Sequence, residues 1–277
     1  MSSTRRFSAV IATITAGGSL GGCAGGTPLL HPARVLPPQQ VRAFTGFSSQ
    51  WITGPTLDNL RTAHQFLVNR PPSTPEADPT YAKSVLLMAT LAPGLAPVAG
   101  ARTGLGKSLE VGLTYTGRTA RADIRRSFKD TKRHLALSIG IGGAVPFHGP
   151  EQVFSIPSIT LSDLWGYGFD VPLLLGWESS LGMYKAWLGT RSGYEHIGVK
   201  VLDYENPSPS FAQFSATFSA SRLWSGLVFG LEAGFRDMHI GFELGLTHHI
   251  INGNYLSYKE TLYEWTLTPA SAVSWQF

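Results

Sequence analysis

The sequence predicts an all-β fold: an antiparallel up-and-down β-barrel of about 10–12 strands, with a short, partly helical insert near residues 53–92. Three observations predict it. Apolar and polar residues alternate with period two over long segments. Two hairpins read from the sequence place all their apolar residues on one face. Beyond the N-terminus there is no run of about 18 apolar residues, so no ordinary membrane-spanning helix is expected.

Alternation is strictest in the last segment. Tyr263, Trp265, Leu267, Val273, Trp275 and Phe277 share one parity; Glu264, Thr266, Thr268, Ala270, Ala272, Ser274 and Gln276 share the other. Successive strand residues point to opposite faces, so such a segment separates two environments. Pro269 forfeits a ladder hydrogen bond, and a local bulge is expected there. The same pattern recurs in Leu135–Phe147, Trp165–Trp177 and Ala212–Ala220. A turn at Arg236-Asp237 would pair Phe235 with Met238, Ala233 with Ile240, Leu231 with Phe242 and Phe229 with Leu244. A turn at Gly117-Arg118 would pair Tyr115 with Ala120, Leu113 with Ala122 and Val111 with Ile124. Face and register agree in both, as a sheet with one apolar side requires. The parity is mixed near residues 41–51, 95–105 and 181–200.

The N-terminus reads as a processing segment. Arg5 and Arg6 precede the short apolar stretch Phe7–Ile14, and Leu20-Gly21-Gly22-Cys23 follows. This resembles the lipobox of bacterial lipoproteins, and Cys23 is the only cysteine of the chain. The resemblance implies a signal peptide over 1–22, cleavage before Cys23, acylation of Cys23 and, with Ala24 next, forwarding to the outer membrane. Acyl chains bind a bilayer at roughly 0.8 kcal/mol per buried CH₂. Residues 23–40 are rich in Gly and Pro and read as a lipidated tether, leaving 41–277 as the barrel domain.

Alternation fits a soluble sandwich as well as a membrane barrel. The segments are long enough for tilted strands to cross a bilayer, and Trp165, Trp177, Tyr263 and Trp275 sit near segment ends, like interfacial girdles. The end of the chain, Val273, Trp275 and Phe277, resembles the C-terminal assembly signal of outer-membrane barrels. Together these motifs resemble outer-membrane β-barrel lipoproteins of Gram-negative bacteria. That implies outer-membrane lipid, the lipoprotein-processing machinery and the barrel-assembly machinery as partners. The inner face carries Glu110, Arg121, Asp123, Arg125, Asp170, Glu178, Glu232 and Glu243, expected to neutralise one another inside a narrow, plugged barrel. The insert could plug the barrel, cap one end or lie in the periplasm.

Charged residues are only 14% of the chain and the net charge is +4, so neither disorder nor a highly charged soluble surface is expected. Basic residues from Arg118 to Arg133 form no nucleic-acid-binding module and read as a charged loop between strand ends. The eight histidines are dispersed, and His248 and His249 must face opposite ways, so no metal site is expected. There is no Gly-x-Ser-x-Gly, and Gly104–Ser108 lacks the earlier glycine of a phosphate loop, reading instead as a turn. The reading is a non-enzymatic, cofactor-free barrel with a structural or small-solute channel role. The alternatives are an outer-membrane lipid-modifying enzyme and an anchored soluble β-domain that binds a partner.

Overall fold

A computed structural model describes residues 26–53, 83, 86–87, 89–130, 134–146, 152–153, 160–202, 216–255 and 258–277. Among the described residues there are eleven strands: β1 Val41–Thr53, β2 Gly94–Gly106, β3 Leu109–Tyr115, β4 Thr119–Asp130, β5 Leu135–Pro146, β6 Gln152–Val153, β7 Thr160–Glu178, β8 Tyr184–Leu202, β9 Ala216–Phe235, β10 Met238–Tyr255 and β11 Tyr258–Gln276. Each pairs antiparallel with its neighbour; β1 meets β11, and β5 meets β7. Ten strands therefore close into a ring, and β6 is a two-residue addition to β7. Closure leaves the ring no unpaired edge, so every long strand spends its backbone groups on two neighbours.

The two faces of this ring reverse the usual order of a soluble protein. Ile139, Ile141, Val145, Phe169, Val171, Leu173, Phe229, Leu231, Ile240 and Phe242 all point outward and are exposed. Arg42, Arg102, Glu110, Arg121, Asp123, Arg125, Asp170, Arg191, Glu232 and Glu243 point inward and are buried. Exposed aromatic residues ring both ends: Trp177, Tyr184, Phe235 and Phe277 at the mouth that holds both Val41 and the C-terminus, and Trp51, Tyr115, Trp165, Tyr167, Tyr263 and Trp265 toward the other. We call these the terminal mouth and the far mouth. At the terminal mouth the connections are short: residues 107–108, 131–134, 179–183 and 236–237. At the far mouth three are longer: residues 54–93, 147–159 and 203–215. The wall is uneven, since β3 has 7 residues and β9 has 20.

Both predicted hairpins have the register expected of them. Phe235 pairs with Met238 and Phe229 with Leu244; Tyr115 pairs with Ala120 and Val111 with Ile124. Thr116 and Thr119 close the Gly117-Arg118 turn through a backbone bond of 3.0 Å and a hydroxyl contact of 2.8 Å. Lys107 and Ser108 turn β2 into β3 with φ of 48° and 61°, the left-handed pair that a two-residue hairpin needs.

Two expectations change. The basic cluster after Arg118 is no loop: residues 119–130 form β4, with Arg121 and Arg125 turned into the lumen and Arg126 outside over the Phe128 ring at 5.4 Å. The bulge at Pro269 is absent. Pro269 stays in register with Leu244, and pairing to β1 lapses between Ala270 and Leu267 without a shift, because the missing N–H costs ladder bonds on that side only.

The segments of mixed parity are regular strands, β1, β2 and β8. Their inward positions carry apolar groups as well as charges. Phe44, Val98, Ala270 and Ala272 enclose Leu30; Trp187, Leu174, Ala136 and Val228 enclose Leu29 and Ala33. The apolar core thus sits inside the ring, built around residues that precede β1. Trp187 is its largest fully buried side chain. Replacing it by Ala is expected to cost about 3–5 kcal/mol, read as a lowered denaturant midpoint of the barrel in detergent.

Candidate functional site

The lumen is occupied by the chain itself. Gly26 to Gln40 touch β1, β2, β3, β4, β7, β8, β10 and β11, strands from all round the ring. Only the interior is close to all of them. The stretch read as a tether therefore lies, from Gly26 onward, inside the barrel. Pro28, Pro32, Pro37 and Pro38 keep it from forming a helix or a ladder. Its remaining amides still need partners in a buried place, and wall side chains supply them. Glu243 accepts from the Leu29 amide at 2.6 Å and from the Leu30 amide at 2.8 Å. Glu110 accepts from the Leu36 amide at 2.8 Å, and the Ser127 hydroxyl from the Val35 amide at 3.4 Å. In the other sense Arg125 donates to the Pro32 carbonyl at 2.5 Å, Arg191 to that of Thr27, and Ser48 to that of Gly26 at 3.2 Å. Two wall glycines make the room. A Cβ on Gly104 would collide with the Pro37 carbonyl, and one on Gly176 would lie 2.8 Å from the Ala33 Cβ.

Ion pairs fill what the segment leaves. Arg102 bonds Glu110 at 2.5 Å and also pairs with Asp123. Arg125 bonds the same Glu110 at 2.8 Å. Arg121 bridges Asp123 to Asp170, holding both Asp170 oxygens at 2.8 Å, and Arg191 holds them from the other side at 3.1 and 2.9 Å. A second group joins Lys185 to Glu232 at 2.6 Å and Arg42 to Glu232 at 3.3 Å. Forked guanidiniums can each serve two carboxylates, so the network is continuous across neighbouring strands. Of the eight inner charges expected from the sequence, seven are buried in the lumen and Glu178 lies at the terminal mouth; the partners Arg42, Arg102, Lys185 and Arg191 were hidden in strands of mixed parity.

The far mouth is covered. Described residues between 83 and 91 are helical, with Leu86, Leu87 and Leu91 buried. Arg118 donates to the Ala89 carbonyl and, at 3.4 Å, to that of Thr90, meeting the last free carbonyls of this turn with a cation. Thus the described part of the insert caps the far mouth. Between the helix and the buried segment lies a polar cavity of about 60 Å³, lined by Thr27, Gln50, Thr116, Arg118 and His249 among others. A cavity of about 250 Å³ lies at the terminal mouth beside Arg34 and Glu178. The first has room for a few waters.

Among the predicted site residues, Val273, Trp275 and Phe277 lie on the outer face at the terminal mouth; Val273 pairs with Thr45, Trp275 with Ala43, and Phe277 exchanges backbone bonds with Val41. Residues 1–22, with the expected signal peptide, and Cys23 lie outside the described residues. His249 points inward onto the Thr266 hydroxyl at 2.8 Å, while the His248 ring lies 4.9 Å from that of Trp265 on the outer side. Among the described residues no three His, Cys, Asp or Glu side chains come together as a metal site.

No protein-family model matches the chain, and no curated protein does. Among solved structures it is similar to Neisserial surface protein A, at 9% identity and a TM-score of 0.31 over 86% of this chain and 96% of that one. A major outer membrane protein from Thermus thermophilus gives 10% identity and a TM-score of 0.33 over 85% and 99%; the CymD monoaromatic hydrocarbon channel gives 7% and 0.26 over 87% and 89%.

Two measurements probe this interior. Gly176→Val drives a side chain into Ala33 and is expected to destabilise the barrel by about 1–3 kcal/mol, read as a lowered denaturant midpoint, whereas Gly143→Val, where an added Cβ meets nothing within 4 Å, should change it little. Asp170→Ala strands two buried guanidiniums and should destabilise by about 3–5 kcal/mol. Arg34→Ala breaks the more exposed pair with Glu178 and should cost less than about 1 kcal/mol in the same unfolding assay.

Proposed function

We propose that this chain is a lipid-anchored outer-membrane β-barrel of a Gram-negative bacterium, held closed by its own N-terminal segment. Its role is structural, or it passes a small solute only when that segment moves; the role is passive rather than catalytic. One observation carries this reading: the ring is apolar outside and ionic inside, with residues 26–40 filling the interior. An outer face of exposed Leu, Ile, Val and Phe bounded by aromatic residues suits a bilayer, and a closed ring satisfies every strand there without water. Support for the anchor comes from the sequence, Leu20-Gly21-Gly22-Cys23. An open pore is disfavoured by the two small cavities and the continuous ion-pair network.

The expected outcome of fractionation is recovery with the outer membrane, with a faster band in unboiled gels and a precursor that accumulates under globomycin. In planar bilayers the intact chain should conduct little, and a chain lacking residues 27–36 should conduct steadily. Equal, large conductance from both would overturn the closed barrel.

A further inference from the structure

The space between the buried segment and the helical cap differs from the rest of the lumen. Thr27 and Pro28 border it on one side and Thr90 and Leu91 on the other, with wall residues from β1, β8, β9, β10 and β11 around it. Elsewhere the inward charges meet each other or the backbone of the segment. Here hydrogen-bonding capacity is left over. Among the described residues six buried side-chain nitrogens have no hydrogen-bond partner, and three of the six belong to residues lining this one cavity: Gln50 Nε2, Arg222 Nε and His249 Nδ1. Gln50 and His249 are only 6% and 4% exposed. Native interiors keep few such orphans, because each has given up its water for nothing.

We propose that this chamber is a binding site for a small oxyanion, a phosphate or a carboxylate, held by the Gln50 amide and the Arg222 Nε–H. The unused groups are donors, whereas the carboxylates are engaged. Glu195 holds the other end of Arg222, and Glu243 accepts the Leu29 and Leu30 amides and the Trp187 indole. Three guanidiniums, Arg118, Arg191 and Arg222, line the space against those two carboxylates. Arg118 donates to carbonyls of the cap; Arg191 is held by Asp170 and lies 5.0 Å from the ring of Trp224. His249 becomes a third donor when its Nε2 accepts from the Thr266 hydroxyl, 2.8 Å away, which leaves the proton on Nδ1. A volume of about 60 Å³ takes about five waters, or one anion of about four or five non-hydrogen atoms. Water would meet the donors; an oxyanion meets the donors and the cationic wall, and its bonds to N–H groups are the stronger kind. The proposal goes beyond the closed-barrel reading and needs neither the lipid anchor nor a pore.

The chamber can be filled without disturbing its wall. Gly245 of β10 lines it, and a Cβ there would meet the Thr268 Cβ at 3.6 Å and two backbone oxygens at 3.8 and 4.0 Å, all ordinary contacts. Gly245→Val therefore occupies the space of the anion, and Gln50→Glu sets a carboxylate against it. The test is equilibrium dialysis of the full chain in detergent against radiolabelled inorganic phosphate and, separately, acetate, at constant ionic strength; the unboiled fast band verifies folding of each variant. Saturable uptake of one phosphate or one acetate per barrel is expected. Loss of one charge-assisted bond is worth about tenfold or more in affinity, so Gln50→Glu should weaken uptake at least that much and Gly245→Val should abolish it. Arg34→Ala, at the other cavity, should leave it unchanged. No uptake of either anion at millimolar concentration by the unsubstituted chain would overturn the proposal and leave a chamber of water. Undiminished uptake by folded Gly245→Val would overturn it too, placing the anion elsewhere on the molecule.

Discussion

The structure depends on carboxylates in the lumen accepting the backbone amides of a segment that has no secondary structure of its own. Glu243 receives two consecutive amides and Glu110 receives a third while also holding Arg102 and Arg125. Charged acceptors make stronger bonds than neutral ones, and burying them without partners is costly. The wall and the segment therefore satisfy each other. Without the segment, Glu243 loses two of its three donors, keeping only the Trp187 indole at 3.3 Å. Without the wall, a proline-rich chain would have no reason to be ordered.

That mutual satisfaction explains the composition of the inner face. A water-filled lumen can be lined by any polar residue. This lumen instead alternates ion pairs with apolar patches, because the segment presents both backbone polar groups and the side chains of Leu29, Leu30, Ala33, Val35 and Leu36. Trp187 illustrates the fit: its ring fills the space over Gly230, where any side chain would collide with it, and its indole still finds Glu243.

Much of the fold was legible because its outer face is simple. Where the inner residues are small or charged, as in Phe229–Phe235 of β9, Met238–Leu246 of β10 and Tyr263–Phe277 of β11, the alternation is clean and even the hairpin register could be read; at the start of β9 it misleads, since Ala220, on the apolar parity of residues 212–220, points inward. It failed in β1, β2 and β8, where Phe44, Val98 and Trp187 point inward: period-two reading assumes one apolar face, and a plugged barrel has an apolar core as well. The plug itself was hidden by its prolines and glycines, which mark irregular backbone but not location. The one available signal was its excess of Leu and Val, more than a solvated tether needs. Arg121 and Arg125 misled for a related reason, since charge usually means solvent and here means partners in the lumen.

Ring closure joins the first strand to the last: β1 pairs with β11 along Arg42–Thr53. The residues just before Val41 lie inside that ring, yet they are synthesised before any of it. A seam that seals last encloses a segment already in position, as a hoop is closed about a rope. Once sealed, the rope can leave only endwise, and a bulky group fixed to its free end would make the link permanent.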